Sequence, residues 1–304
     1  MVDLSVNLGG VQMKNPVTVA SGTFGYGGEY APLVDITRLG AITVKGLRQP
    51  PHEGNPLPRH VEVPGGMLNA IGLQGVGVEA FIKDYLPLLR EKNVPVIVNI
   101  WGVSEGEYAA VAERFNNVEG VSALEVNISC PNVKEGGAAF GADPQTASAL
   151  IAKIRRRTTL PIIPKLAPNV PDIRPFARAM EDAGANAISL INTIPAMAID
   201  IETRRPVLAN RFGGLSGPAV HHVAVKLVYE AARAVKIPIL AMGGITEPKH
   251  AIEFIIAGAT AVAIGTANFI DPQTPLRVID GIAEYLQRHN FESVRELIGK
   301  VLLT

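Results

Sequence analysis

The chain has 304 residues, 47% of them apolar, with 28 basic side chains against 28 acidic ones and a formal net charge of zero. That balance offers no electrostatic case for nucleic acid or an acidic membrane surface as partner. The single cysteine, Cys130, excludes an internal disulfide and any multi-cysteine zinc or iron–sulfur site within the chain.

The N-terminus, Met1-Val2-Asp3-Leu4, shows no basic region followed by an apolar run, and no apolar stretch approaches the roughly 20 residues that span a bilayer. The expected location is therefore the cytoplasm. In chain order, Leu4, Val6 and Leu8 alternate, Gly9-Gly10 fits a two-residue turn, and Val11 and Met13 continue, which predicts an N-terminal β-hairpin. Eight continuous apolar runs follow: 17–21, 41–45, 94–100, 123–129, 161–166, 187–192, 238–242 and 261–265. Such runs suit parallel strands buried on both faces.

Helical periodicity separates them. Val78, Phe81, Ile82, Tyr85, Leu86 and Leu89 share one face. Ala147, Leu150, Ile151 and Ile154 do the same behind Asp143 as N-cap and Pro144 at the first helical position. Ile173, Phe176, Ala177 and Met180 mark another helix, and Ile279, Ile282 and Leu286 a last one. With no linker or composition shift, the expectation is one domain over 1–304, an α/β fold of the (β/α)8 TIM-barrel type. A doubly wound sheet is the alternative, but no G-x-G-x-x-G follows the first strand.

Three connections, 46–77, 131–143 and 193–218, are too long for turns. Each follows a strand and precedes a helix, which places it on the C-terminal face, where barrel active sites lie. The strand ends there carry Ser21, Lys45-Gly46, Asn99, Asn127, Ser129, Cys130, Lys165, Asn192-Thr193, Gly243-Gly244 and Gly265-Thr266. Acidic side chains are scarce among them; Glu125 is the exception and reads as a buried, paired carboxylate. This argues against a carboxylate-pair glycosidase and a magnesium site. The six histidines show no ligand spacing, so no metal is expected.

Gly243-Gly244, followed by Thr246 as an N-cap and Pro248, and Gly265-Thr266 have the composition of a phosphate site, because loops after the last two barrel strands bind phosphate through backbone N–H groups. Gly213-Gly214 and Ser216-Gly217-Pro218 could add donors.

Asn-Ile-Ser-Cys-Pro-Asn at 127–132, Asn-Ala-Ile-Gly-Leu at 69–73, Lys45-Gly46, Leu190-Ile-Asn-Thr193 and Ala241-Met-Gly-Gly-Ile245 together resemble dihydroorotate dehydrogenase, specifically the NAD-linked class 1B catalytic subunit. The resemblance covers essentially the whole chain and departs at Gly75, where many relatives have Asn. It implies an FMN-containing barrel that oxidises dihydroorotate to orotate in pyrimidine synthesis, with Cys130 as catalytic base. It implies substrate contacts at Lys45, Asn69, Ala70, Ile71, Gly72, Leu73, Asn127, Asn192 and Thr193. It implies FMN contacts at Ser21, Lys45, Gly46, Asn99, Asn127, Lys165, Ile191, Gly217, Gly243, Gly244, Gly265 and Thr266. Lys45 and Lys165 would stabilise the negative charge of a reduced flavin.

Class 1B further implies a homodimeric core in a heterotetramer of two catalytic and two electron-transfer chains. FAD and a 2Fe-2S cluster would lie on the partner, since one cysteine cannot hold a cluster here. Membrane-bound class 2 relatives use serine where this chain has Cys130. Three alternatives stand beside this reading: a fumarate-dependent class 1A-like homodimer, a Schiff-base lyase using Lys45 or Lys165, and a non-catalytic flavin- or nucleotide-binding module.

Overall fold

The computed structural model describes residues 2–129 and 143–303. The hairpin forms as expected: Val6–Leu8 pairs antiparallel with Val11–Met13, burying Val6, Leu8, Val11 and Met13. Gly9 lies against Asn186, and Gly10 against Pro161. These residues lead into two of the barrel strands, so the hairpin covers the N-terminal end of the barrel, away from the long loops.

The eight apolar runs become eight parallel strands: Val17–Val19, Ile42–Leu47, Val96–Ile100, Val121–Asn127, Ile162–Lys165, Ile188–Leu190, Ile239–Met242 and Ala261–Ile264. They are called the first to eighth barrel strands below. Their order in the sheet is first, eighth, seventh, sixth, fifth, fourth, third, second. The two ends of that order meet where Gly40 N–H donates to Val17 O at 2.9 Å and the hydroxyls of Thr18 and Thr43 lie 3.4 Å apart. The third strand is buried at all five positions, as continuous apolar composition requires when side chains face both the barrel interior and the outer helices. Each fully buried Val, Ile or Leu there contributes roughly 1.5–3 kcal/mol.

The helices follow the 3.6-residue pattern. Val78, Phe81, Leu86 and Leu89 face inward along Val78–Ala80, Phe81–Tyr85 and Leu86–Glu91, the middle stretch being a π-helix. Asp143 caps Pro144–Arg155 by accepting from Thr146 N–H at 2.8 Å. One expectation is corrected. Thr246 does not cap Pro248–Ala257; Glu247 holds that position, without a side-chain capping bond. Pro248 occupies the first helical position, so the cap falls on the residue just before it. The Thr246 hydroxyl instead lies 3.2 Å from His250 Nδ1.

Two of the long connections build a sheet. Ile194–Ala196, Gly213–Ser216, Gly66–Asn69 and His60–Val63 associate in that order, all antiparallel. This lid sheet has a small core of Leu68, Ala70 and Leu208. It stands over the C-terminal face because its strands leave from the second and sixth barrel strands. Among the described residues, no helix is long and apolar enough to cross a membrane.

Candidate functional site

A cavity of about 560 Å³ lies between the C-terminal strand ends and the lid sheet. That volume is in the range of small-molecule sites. Ser21, Lys45, Gly46, Asn69, Ile71, Gly72, Leu73, Asn99, Asn127, Lys165, Ile191, Asn192, Thr193, Gly217, Gly243, Gly244, Gly265 and Thr266 all line it. Ala70 does not: its side chain is fully buried among Leu68 and Leu208 on the lid's far side. Cys130 lies outside the described residues.

The floor is a network of buried side chains. Glu125, on the fourth strand, is fully buried and accepts from Asn99 Nδ2 at 2.6 Å and Ser189 Oγ at 2.8 Å. Lys165 Nζ lies 3.6 Å from its Oε2 and donates to Ser21 Oγ at 3.3 Å. The third, fourth, fifth and sixth strands thus each contribute one member, held in register by the parallel ladder. An isolated carboxylate at such depth would cost several kcal/mol; the ammonium and two further donors offset that cost. The expected paired carboxylate is therefore found, and it offsets the charge of Lys165.

Lys45 is differently placed. Its Nζ reaches Gln74 Oε1 at 3.5 Å, and the same oxygen accepts from Arg59 Nη2 at 2.7 Å. Burial, then repulsion from the Arg59 guanidinium, hold its ammonium below the usual lysine value, with Glu29 pulling the other way.

Ser129 ties two asparagines together. Asn192 Nδ2 donates to Ser129 Oγ at 2.9 Å, while Asn192 Oδ1 accepts from Thr193 N–H at 2.8 Å. Ser129 also faces Asn127 Oδ1, with N–H and Oγ at 3.4 and 3.5 Å, and the Asn127 carbonyl accepts from the buried Tyr108 hydroxyl at 2.6 Å. Both amides are thus oriented at the cavity wall, presenting groups that can match a ring of alternating C=O and N–H.

The opposite wall is built of backbone. Among the described residues, the amides of Gly243, Gly244, Gly265 and Thr266 donate to no backbone carbonyl, and all four residues line the cavity. Gly244 has φ +68°, and a Cβ there would come within 2.8 Å of His221 Cβ. The Thr266 hydroxyl donates to Ser216 Oγ at 2.8 Å, joining the eighth strand to the lid. Free amides beside glycine suit a phosphate group, and the asparagine–lysine wall suits the polar edge of a flat ring. The residues present therefore fit a phosphorylated heteroaromatic cofactor.

Several lining residues were not foreseen: His60, Met67, Gln74 and the half-exposed Phe269. Gln74 and His60 come from the 46–77 connection, whose composition does not reveal which residues fold back over the barrel. Gly75, the point of departure from relatives, exchanges backbone hydrogen bonds with His52, and a Cβ there would meet Gly46 O at 2.7 Å.

The dihydroorotate dehydrogenase family profile matches residues 3–286. A relative from Geobacter sp. (strain M21), described as the catalytic subunit of dihydroorotate dehydrogenase B (NAD(+)), is 53% identical over 301 residues, covering 99% of each chain. Proteins with the same description from Citrifermentans bemidjiense and Thermoanaerobacter sp. (strain X514) are 53% and 52% identical, again over 99% of each chain. Similarity along the full length, on a barrel whose cavity gathers the motif residues, makes this chain a member of the dihydroorotate dehydrogenase family.

Proposed function

We propose that this chain oxidises (S)-dihydroorotate to orotate in de novo pyrimidine synthesis, acting in the cytoplasm as the catalytic subunit of an NAD-linked enzyme. The observation that carries this reading is the meeting of Lys45, Asn69, Asn127, Asn192 and Thr193 with the Gly243-Gly244 and Gly265-Thr266 amides around one cavity. FMN is the cofactor this set fits. The glycine wall and Gly217 would hold its phosphate, and Ser21, Lys45, Gly46, Asn99, Asn127, Lys165 and Ile191 would hold its ring. When bound, FMN supplies the hydride acceptor that protein side chains lack.

The protein's share is binding, orientation and a proton. Asn69, Asn127, Asn192 and Thr193 hold the pyrimidine ring through paired donors and acceptors, and Lys45 faces its negative charge. The backbone from Ile71 to Leu73 borders the same space. Cys130 Sγ, as thiolate, takes the ring-carbon proton. The lid sheet limits the access of water to the reacting face.

A second chain carrying FAD and a 2Fe-2S cluster would take the electrons onward, two such chains joining a dimer of this one. The purified protein is expected to be yellow and to bleach on addition of dihydroorotate under anaerobic conditions. Turnover is expected with NAD plus the electron-transfer chain and not with fumarate alone. Protein that takes up no FMN would sink the reading, and brisk fumarate turnover would replace its NAD-linked half. Lys165 is engaged by Glu125 and Ser21, which leaves it poorly placed as a free amine for imine chemistry.

A further inference from the structure

Behind the glycine wall lies a hydrogen-bonded histidine–glutamate pair that the proposed chemistry does not use. His221 opens the helix His221–Ala232 and is 3% exposed. Its Nδ1 is 3.0 Å from Gly243 O, and its Nε2 is 2.6 Å from Glu253 Oε2. A carbonyl oxygen only accepts, so Nδ1 is the donor in the first contact. Glu253, on the neighbouring helix Pro248–Ala257, holds the far side of the ring. The rings of His250 and Phe254 pack on His221 at 4.5 and 5.2 Å, leaving it little freedom to rotate.

The peptide linking Gly243 to Gly244 is trans. In a trans peptide the C=O and the following N–H point to opposite sides of one rigid plane. A bond that draws Gly243 O toward His221 therefore aims Gly244 N–H the other way. Gly244 lines the cavity, and its amide has no backbone acceptor among the described residues. Glycine leaves this plane free to rotate, since neither residue carries a side chain to hold it. The orientation must come from outside the loop, and His221 is the group in contact with its carbonyl.

We infer that His221, held by Glu253, is a positioning residue that orients the Gly243–Gly244 peptide so that Gly244 N–H donates to the phosphate of the bound cofactor. This deepens the proposed function and rests on its assignment of FMN to the cavity. Neither His221 nor Glu253 lines the cavity. The pair's contribution is confined to the phosphate, which separates it from a general structural role.

The test compares two flavins that share a ring system and differ in the phosphate. Apoprotein is titrated with FMN and with riboflavin, following the quenching of flavin fluorescence. His221→Leu is expected to weaken FMN by about tenfold while riboflavin changes by less than about twofold, the size of one lost charge-assisted hydrogen bond. Glu253→Ala, at a half-exposed position that leaves the core intact, is expected to show the same selectivity at about two- to fivefold. It carries the test by itself if His221→Leu does not fold. Equal losses for both flavins, or unchanged FMN affinity in both variants, overturn the inference and leave the proposed function standing. Wild-type apoprotein that binds neither flavin overturns both.

Discussion

The two walls of the cavity achieve recognition by different means. On the side of the third to sixth strands, side chains carry the polar groups, and each is held by another: Glu125 by Asn99, Ser189 and Lys165, and Asn192 by Ser129. On the side of the seventh and eighth strands, the donors are main-chain amides shaped by glycine, and the supporting side chain stands behind the wall at His221. The first wall can be altered one functional group at a time. The amide donors of the second are altered by changing backbone shape, because truncating a side chain removes none of them.

Four expected outcomes break or sharpen that contrast. The largest belongs to the proposed base. Cys130→Ala should slow flavin reduction by dihydroorotate on the order of 10²–10⁴-fold while orotate still binds. Stopped-flow absorbance measures this. In the wild type the reduction rate should rise with pH through an alkaline transition, because a free thiol titrates near ~8.5 and only the thiolate accepts a proton. A near-normal rate in the variant would remove Cys130 from the role.

The next effect is on stability. Glu125→Gln leaves the Lys165 ammonium buried without its counter-charge and should cost about 3 kcal/mol in denaturant unfolding. A loss below about 1 kcal/mol would mean that the floor is not an interdependent network. On the backbone wall, Gly244→Ala meets both a positive φ and the His221 Cβ. It should cost roughly 1–2 kcal/mol and be read mainly as weaker FMN retention, not as a changed Michaelis constant for dihydroorotate. Parallel losses in both would blur the division between the walls.

The smallest effect is a pH dependence. His250, packed on His221, titrates below its ordinary value of 6.5, chiefly through burial and then through repulsion from His221. Below that value the unfolded chain holds the proton more readily than the folded one. Stability therefore falls as pH drops through the window beneath 6.5 and is recovered as pH rises back to it. His250→Asn should flatten that part of the stability curve, as followed by unfolding midpoints between about pH 5 and 7. An unchanged slope would place the acid sensitivity elsewhere.

Much of the barrel was legible because its physics is local. A run such as Val96–Ile100, apolar at four of its five positions, can only be a strand buried on both faces, and Asp143-Pro144 announces a helix start wherever it stands. Strand ends then pointed to Lys45, Asn99, Asn127, Lys165 and Asn192, because parallel strands in a barrel all finish on one face. The lid sheet was not legible. Its central pairing joins Gly66–Asn69 to Gly213–Ser216, segments far apart in sequence, and two glycines in the second strand mask any alternation. His60 and Met67 entered the cavity with that sheet. Ala70 carries the motif but does not line the cavity, its side chain packing with Leu68 and Leu208 instead.

The chain's own order of residues determined the βα repeat, the polar inventory at the strand ends and the solitary cysteine, since each follows from composition and period over a few neighbouring positions. Only the tertiary structure decided which charges meet. It set Glu125 against Lys165 and left Lys45 facing Gln74 and Arg59. It also placed His221 behind Gly243. Pairings between distant segments depend on barrel closure and strand register, which belong to the whole sheet and to no single stretch of it.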